Sequence, residues 1–333
     1  MWALLTLAAT FLLLCSGGIV TSKNVGMSVP DWPTTYGYNM FLFPVSQWVG
    51  GIFYEHSHRL IASGVGLMTV ILAVWIFMVD SRRWVKFLGV AAVIAVCLQG
   101  LLGGLRVTLY KDELGIFHAL LAQAFFCATA ILAVATSGRF LRGEWDFFNP
   151  DPVLKNLVLA TTVLVFVQLG LGATMRHEHA GLSIPDFPLA YGQWIPDTSP
   201  QAIEAINVVR LADNEVPTNG LFIWVQMAHR ALAMLILLGV AAVYQRSATA
   251  SRLRVTKFWS AVWLGLVLVQ VGLGAWTIWS NKAADVATAH MAVGALTLLL
   301  GAVFSFRLCR AAGTQRFRVP EPRISPALAS RTA

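Results

Sequence analysis

The chain has 333 residues, of which 57% are hydrophobic and 12% are charged, and its formal net charge is +8 at pH 7. Soluble globular domains carry about 25% charged residues, so this composition excludes a soluble protein and indicates one embedded in a lipid bilayer. The positive charge does not indicate nucleic-acid binding, because the basic residues are concentrated in alternate loops between apolar segments.

Eight segments have the roughly 20 mostly apolar residues that a membrane-spanning helix needs. Their uninterrupted apolar runs predict helices, since the strands of a membrane barrel would alternate with a period of two residues. The first segment lacks a charged start and a convincing cleavage site, so we expect a permanent helix rather than a signal peptide. In chain order the predicted spans are 2–21, 57–79, 84–106, 115–136, 152–173, 222–244, 257–279 and 286–308.

One sequence pattern occurs twice. GMSVPDWPTTYG at 26–37 is matched by GLSIPDFPLAYG at 181–192, and each copy lies in a long loop before an apolar segment. Four spans per copy return the chain to its starting side, so the copies share one topology, related by an axis along the membrane normal. The predicted fold is an all-α integral membrane protein of two pseudo-twofold related four-helix bundles, residues 1–150 and 151–310, followed by a basic, disordered tail at 311–333.

The distribution of charge predicts the orientation. The loops after the second, fourth and sixth spans, with the C-terminal tail, hold 16 of the 24 lysines and arginines, whereas the opposite side holds 11 of the 16 acids. Because basic residues concentrate in cytoplasmic loops, both termini are predicted to be cytoplasmic. The long loops at about 22–56 and 174–221 would then be outer lids over the bundles. We expect a bacterial cell membrane rather than the mitochondrial inner membrane.

Four of the seven histidines begin even-numbered spans and therefore lie at one depth near the outer face. An ionisable residue inside a span indicates function, and repetition between the two halves favours ligands over packing residues. Two imidazoles facing each other in each bundle, with no cysteine partner and a single carboxylate nearby, fit a bis-histidine haem better than zinc or thiolate-bound copper. These candidate ligands of haem iron are His58, His118, His229 and His290.

Three other residues lie near the candidate ligands. Arg59 and Arg230 each follow a ligand histidine and are candidate partners for haem propionates; the alternative is that they anchor the outer loops. Glu55 lies three residues before His58 and shares its helix face, whereas Gln226 takes that place in the second half. We interpret this difference as one reactive site and one electron-transfer site. The alternative for Glu55 is a structural ion pair with Arg59.

The remaining histidines and the cysteines have simpler interpretations. His56 is expected on the other side of the helix from His58. His177 and His179 form an H-x-H motif in the second lid, for which a solvated loop is favoured over a metal site. The cysteines are far apart in sequence and form no C-x-x-C motif, which indicates buried structural thiols. They are Cys15, Cys97, Cys127 and Cys309.

The odd-numbered spans share small residues at their outer ends, as in QGLLGG at 99–104, QLGLGA at 168–173 and QVGLGA at 270–275. Small residues let helices pack closely, and the same glycines would admit a flat ligand. Close packing is the favoured interpretation for each single glycine. Trp32 and Phe187 occupy equivalent lid positions and are expected to cover either a haem face or the bundle itself.

These residues resemble the haem A synthase family, which converts haem O to haem A for cytochrome oxidases. The resemblance covers about residues 10–310, and its most specific parts are GMSVPDWPTTYGYNMFLFP at 26–44, E-x-x-H-R at 55–59 and FHALLAQ at 117–123. The long first lid looks like the form found in proteobacteria and mitochondria. Some bacterial members carry a cysteine pair in an outer loop, which this chain lacks.

The resemblance implies a role for each candidate residue. His58 and His118 would hold the substrate haem O, His229 and His290 would be the axial ligands of a resident haem b, and Glu55 would be the catalytic carboxylate. The implied reaction oxidises one ring methyl group to a formyl group through hydroxylation. The implied partners are the lipid bilayer, a haem O synthase, cytochrome oxidase assembly factors and an electron-transfer partner that the sequence does not identify.

Two other functions account for part of the pattern. A bis-histidine b-type membrane cytochrome that only transfers electrons explains the four histidines, but not Glu55 or its replacement by Gln226. A transporter with parallel repeats would need polar residues near the membrane midplane, where the spans of this chain are apolar.

Overall fold

The computed structural model describes residues 1–143, 151–250 and 254–316. Within these residues the regular structure is helical, and eight helices are long and apolar enough to cross a membrane. The predicted all-α membrane class is therefore confirmed for this part of the chain. The predicted boundary near residue 150 and the tail beyond residue 316 lie outside the described residues.

Ten α-helices occur in the described part of the chain, and two of them, α5 and α7, are too short to span a bilayer. In chain order they are α1 Trp2–Ser22, α2 Gly50–Val79, α3 Arg83–Thr108, α4 Leu114–Ala135, α5 Gly138–Leu141, α6 Pro152–His177, α7 Pro200–Ala212, α8 Gly220–Ala250, α9 Arg254–Trp279 and α10 Ala284–Arg316.

Helices α2, α10 and α7 show three departures from the sequence prediction. Helix α2 begins at Gly50 rather than at residue 57, because its first two turns lie beneath the first lid and carry polar side chains that hydropathy assigns to a loop. Helix α10 continues to Arg316, past the predicted start of the tail at residue 311. Helix α7 was not predicted, although Ser199 followed by Pro200 is a typical helix start, and the Ser199 side chain accepts a hydrogen bond from the Ala202 amide.

The spanning helices pack in two closed cycles. In the first, α1 contacts α2, α2 contacts α3, α3 contacts α4 and α4 returns to α1; in the second, the order is α6, α8, α9, α10 and back to α6. Each cycle surrounds its own apolar core, centred on Val65, Leu72 and Leu132 in the first and on Val240 and Trp263 in the second. Contacts of α10 with α1 and α4, and of α4 with α6, join the two cycles.

The prediction that all four cysteines are buried is wrong for two of them. Cys97 is exposed in the middle of α3 and Cys309 is exposed near the C-terminal end of α10, while Cys15 and Cys127 are partly buried. Hydropathy cannot separate these cases, because a thiol facing lipid and a thiol facing a neighbouring helix both lie in apolar surroundings.

Candidate functional site

Each of the four candidate ligand histidines lies against a glycine of the preceding spanning helix. A Cβ atom added to such a glycine would meet the imidazole Cε1 at 3.0–3.4 Å, which is tighter than ordinary van der Waals contact. The glycine motifs thus serve, at one position each, to let an imidazole approach a helix backbone. The pairs are Gly17 with His58, Gly103 with His118, Gly172 with His229 and Gly274 with His290.

His229 on α8 and His290 on α10 form the pair of the second cycle. Their ring centroids are 6.5 Å apart, with the ring planes inclined at 61°. A metal atom bonded to one nitrogen of each ring at about 2 Å requires centroids about 6 Å apart, which is close to the observed spacing. The Nδ1 atoms of both rings are buried without a protein hydrogen-bond partner. The residues present therefore fit a bis-histidine haem.

His58 on α2 and His118 on α4 occupy the equivalent places in the first cycle and lie close enough to interact electrostatically. Gln99 of α3 donates a 2.9 Å hydrogen bond to the His118 carbonyl, just as Gln168 of α6 does to the His229 carbonyl. Helices α2 and α4 are opposite members of their cycle, as are α8 and α10 in theirs. Each histidine pair therefore reaches across the middle of a four-helix unit.

A metal site made of protein ligands alone is not found in the described part of the chain. No group of three or more His, Cys, Asp or Glu side chains is placed there to hold a metal ion. Zinc requires at least three such ligands. The two-histidine arrangement leaves the equatorial positions to the ligand itself, which is the coordination that a porphyrin supplies.

Glu55 is buried beneath the first lid, with 4% of its surface exposed. Its Oε2 accepts a 2.9 Å hydrogen bond from the Val29 amide, and its Oε1 accepts one of 2.7 Å from Arg59. Arg59 also donates to the carbonyl oxygens of Val29, Asp31 and Thr34. The ion pair that the sequence analysis gave as the alternative is therefore present, and the arginine anchors the lid.

Gln226 makes the same contact with the second lid without a charge. Its Oε1 accepts from the Ile184 amide at 2.8 Å, and its Nε2 donates to the Ile184 carbonyl at 3.1 Å. Val29 and Ile184 are equivalent in the repeat. The Gln226 amide therefore makes both hydrogen bonds to the backbone of Ile184, whereas Glu55 and Arg59 each make one of the equivalent bonds to Val29. The exchange of Glu for Gln changes the charge of the site and leaves the lid contact intact.

Arg230 anchors the second lid in the same way. Its Nη1 donates to the Leu189 carbonyl at 2.8 Å and its Nη2 to the Asp186 carbonyl at 2.7 Å, while the Phe187 ring lies 5.4 Å from the guanidinium. Anchoring of the loops is thus the geometry observed for Arg59 and Arg230. Their binding of propionates stays a prediction.

The two lids have the same internal hydrogen bonds. Asp31 accepts from the amides of Tyr36 and Gly37, and Asp186 does the same in the second copy. Desolvation raises the pKa of Asp31, but the hydrogen bonds from Gly37, Thr34 and Tyr36 outweigh it and hold the pKa below its ordinary value. The repeated motif thus specifies a fixed turn rather than a flexible loop.

His56 and Trp32 fasten the first lid to the bundle. His56 is fully buried on the side of α2 away from His58, with its ring centroid 5.1 Å from Phe43 and 4.7 Å from Trp48. The Trp32 ring packs so closely against Gly104 of α3 that a side chain at position 104 would have no room. Trp32 therefore covers the bundle, one of the two roles expected for it.

His177 and His179 do not converge on one point. His177 is the last residue of α6 and packs against Gly115 at the start of α4, so the prediction of a solvated loop is wrong for it. His179 is exposed, as predicted, and has a left-handed backbone with φ of 55°. The motif lies across the C-terminal end of α6. Its first histidine packs between α6 and α4, where the two cycles of helices meet.

Two arginines that the sequence analysis did not single out lie near the histidine pairs. Arg106 follows Gly103 by three residues on α3, and Arg176 follows Gly172 by four on α6, so both lie on the faces that meet a histidine. The sequence does contain a signal for them. Both are cations at the ends of spans on the side of the lids, where basic residues are few.

Comparison with known proteins gives one consistent result. Residues 1–302 match the COX15-CtaA family, described as cytochrome oxidase assembly protein. A haem A synthase of Shouchella clausii is 29% identical over 72% of this chain and 82% of its own length. Haem A synthases of Geobacillus kaustophilus and Nitrosomonas eutropha are each 26% identical over 93% of this chain, and over 90% and 92% of their own lengths.

Proposed function

The chain belongs to the COX15-CtaA family of cytochrome oxidase assembly proteins, and we propose that it is an oxidoreductase that converts haem O to haem A, the activity for which its relatives are named. One observation carries the proposal beyond the family. The chain has two equivalent histidine pairs, and beside only one of them a buried carboxylate takes the place of an amide. A cytochrome that only relayed electrons would need no such difference.

The two pairs have different roles in this proposal. His58 and His118 hold the substrate haem O in the first half, and His229 and His290 hold a resident haem b in the second. Bound haem b supplies one-electron chemistry to the reaction, while the protein supplies position and electrostatics. The spacing of the His229 and His290 rings supports the second assignment, and the place of Glu55 one turn before His58 supports the first.

Glu55 puts a negative charge beside the substrate site. A carboxylate in a desolvated site can accept a proton from the methyl group being oxidised or stabilise positive charge that develops on it. Arg59 and the Val29 amide fix the orientation of Glu55. The lid that they hold covers the outer end of α2 and limits the access of water to the site.

The protein is an integral membrane protein, and its described residues contain eight helices that are long and apolar enough to cross a bilayer. We infer that it lies in a bacterial cell membrane with both termini in the cytoplasm and both histidine pairs toward the outer side. The concentration of basic residues in the alternate loops supports this orientation. The partners that we propose are a haem O synthase, cytochrome oxidase assembly factors and a protein that exchanges electrons with the resident haem.

The reaction can be tested by extracting haem from cells that co-express the chain with a haem O synthase. We expect haem A in the extract, and only haem B and haem O from cells with the haem O synthase alone. A chain that carries a low-spin haem while haem O remains unconverted would instead be an electron-transfer cytochrome.

A further inference from the structure

Arg176 is the outer arginine whose surroundings the proposed function leaves unexplained. Arg59 is paired with Glu55 at 2.7 Å and Arg106 with Asp112 at 2.7 Å. Within the described residues, Arg176 forms no ion pair. Its hydrogen bonds go to uncharged oxygens of α1, the Gly18 carbonyl at 2.6 Å and the Ser22 hydroxyl. A partly buried cation inside a membrane protein is costly without an anionic partner.

The position of Arg176 relates it to the second histidine pair. Gly172, one turn earlier on α6, touches His229, so Arg176 lies on the same face about 5 to 6 Å further toward the outer surface. On the other side, Ser22 lies 3.1 Å from Thr288, which precedes His290 by two residues on α10. Arg176 also acts electrostatically on His290. The guanidinium therefore lies within electrostatic range of His290, about one helical turn beyond the level of Gly172.

Lys282 is a second cation, close enough to Arg176 for the two charges to interact. It lies in the turn between α9 and α10, is partly buried, and makes no side-chain hydrogen bond or ion pair with the described residues. Burial lowers the pKa of Lys282, and the nearby charge of Arg176 lowers it further. The carboxylate of Asp285 accepts a hydrogen bond from the Val286 amide at the start of α10. Two neighbouring cations without a paired carboxylate form a site for an anion.

We propose that Arg176 and Lys282 bind a propionate carboxylate of the haem held by His229 and His290, an inference that rests on the proposed function. Both hydrogen bonds of Arg176 use Nη2, which leaves Nη1 to donate to a carboxylate. Lys282 adds a second, compact charge. Arg230, the partner predicted from sequence, uses both of its terminal nitrogens on lid carbonyls.

The test measures the discrimination between two forms of haem. The full chain is produced without haem in a His118→Ala background, so that one histidine pair remains. It is then titrated in detergent with iron protoporphyrin IX or with its dimethyl ester, which lacks the carboxylate charges. We expect the parent chain to bind the free acid on the order of tenfold more tightly than the ester. A charge-assisted hydrogen bond raises affinity by about this factor.

Arg176→Gln and Lys282→Gln should each bring the ratio of the two affinities toward one, with the bis-histidine spectrum retained. Lys111→Gln is the matched control, because it removes one charge from an exposed site in the corresponding turn of the first half. The Lys282 side chain makes no hydrogen bond or ion pair with the described residues, so its replacement removes no such interaction and keeps the test decisive if Arg176→Gln fails to fold.

An unchanged ratio in both variants, or no discrimination by the parent chain, would overturn the proposal. If the ratio of the two affinities falls in Arg230→Gln instead, the propionate is bound by Arg230, the arginine predicted from sequence, and the proposal is wrong. None of these outcomes depends on the conversion of haem O. A chain that discriminates the ester but makes no haem A would contradict the proposed function and leave the carboxylate site in place.

Discussion

At the scale of single residues, Glu55 in the first half and Gln226 in the second occupy equivalent positions. Their comparison separates the hydrogen bond to the lid from the negative charge. Both side chains accept a hydrogen bond from the amide of an equivalent lid residue, Val29 or Ile184. Only Glu55 carries a charge and pairs with an arginine. The second half of the molecule therefore shows what a neutral version of the first site looks like.

Glu55→Gln should keep the first lid closed and lose most conversion to haem A. The new amide can bond Val29 as Gln226 bonds Ile184, so the melting temperature should change little. The loss of the carboxylate should lower the rate on the order of 100-fold or more if it acts as a proton acceptor. Gln226→Glu is the reciprocal control, in which conversion should persist. A normal yield of haem A from Glu55→Gln would reduce Glu55 to a lid contact.

The two histidine pairs should fail differently. His229→Ala or His290→Ala should remove the low-spin b-type spectrum and lower the melting temperature, because the resident haem stabilises only the folded state. His58→Ala or His118→Ala should keep most of that spectrum but stop oxidation, so that haem O accumulates. Absorption spectra and extracted pigments measure both effects. The opposite pattern would show that the roles of the two halves are reversed.

At the scale of elements, the glycines of the odd-numbered spans act at defined positions rather than by general flexibility. On α9, a Cβ atom at Gly274 would meet the His290 ring at 3.1 Å, whereas one at Gly272 would have no atom within 4 Å. The same helix thus contains one glycine that contacts the His290 ring and one that contacts no neighbouring side chain.

Gly274→Ala should push the His290 ring away by a few tenths of an ångström and weaken the retention of the resident haem. Gly272→Ala should leave haem binding unchanged, and it should stabilise the helix by up to about 1 kcal/mol because alanine is the better helix former. Haem content after extensive washing in detergent measures the difference. Equal retention by the two variants would mean that the glycine contact does not position His290.

At the scale of the whole molecule, the lids and the histidine pairs lie at one end of both helix cycles, and the basic loops lie at the other. The exposed thiol of Cys309, near the C-terminal end of α10, provides a natural marker for the basic side. Leu42, in the first lid, is 77% exposed and provides a site on the opposite side.

Leu42→Cys should react with a membrane-impermeant thiol reagent in intact spheroplasts, while Cys309 should react only after permeabilisation. This follows from the inferred orientation, with both termini in the cytoplasm. Mass spectrometry of the labelled peptides distinguishes the two cysteines within one protein. Labelling of Cys309 before permeabilisation, with protection of the cysteine at position 42, would invert the topology.

The sequence by itself determined the eight spans, the internal repeat and the common depth of the four histidines. Hydropathy and spacing along a helix are local properties, so they can be counted directly in the chain. Only the tertiary structure decided what the charged residues touch. Arg59 and Arg230 bind carbonyls 25 to 44 residues away, and Arg176 bonds to α1, 154 and 158 residues away. Such partners depend on how two helices and a lid meet, which no local pattern specifies.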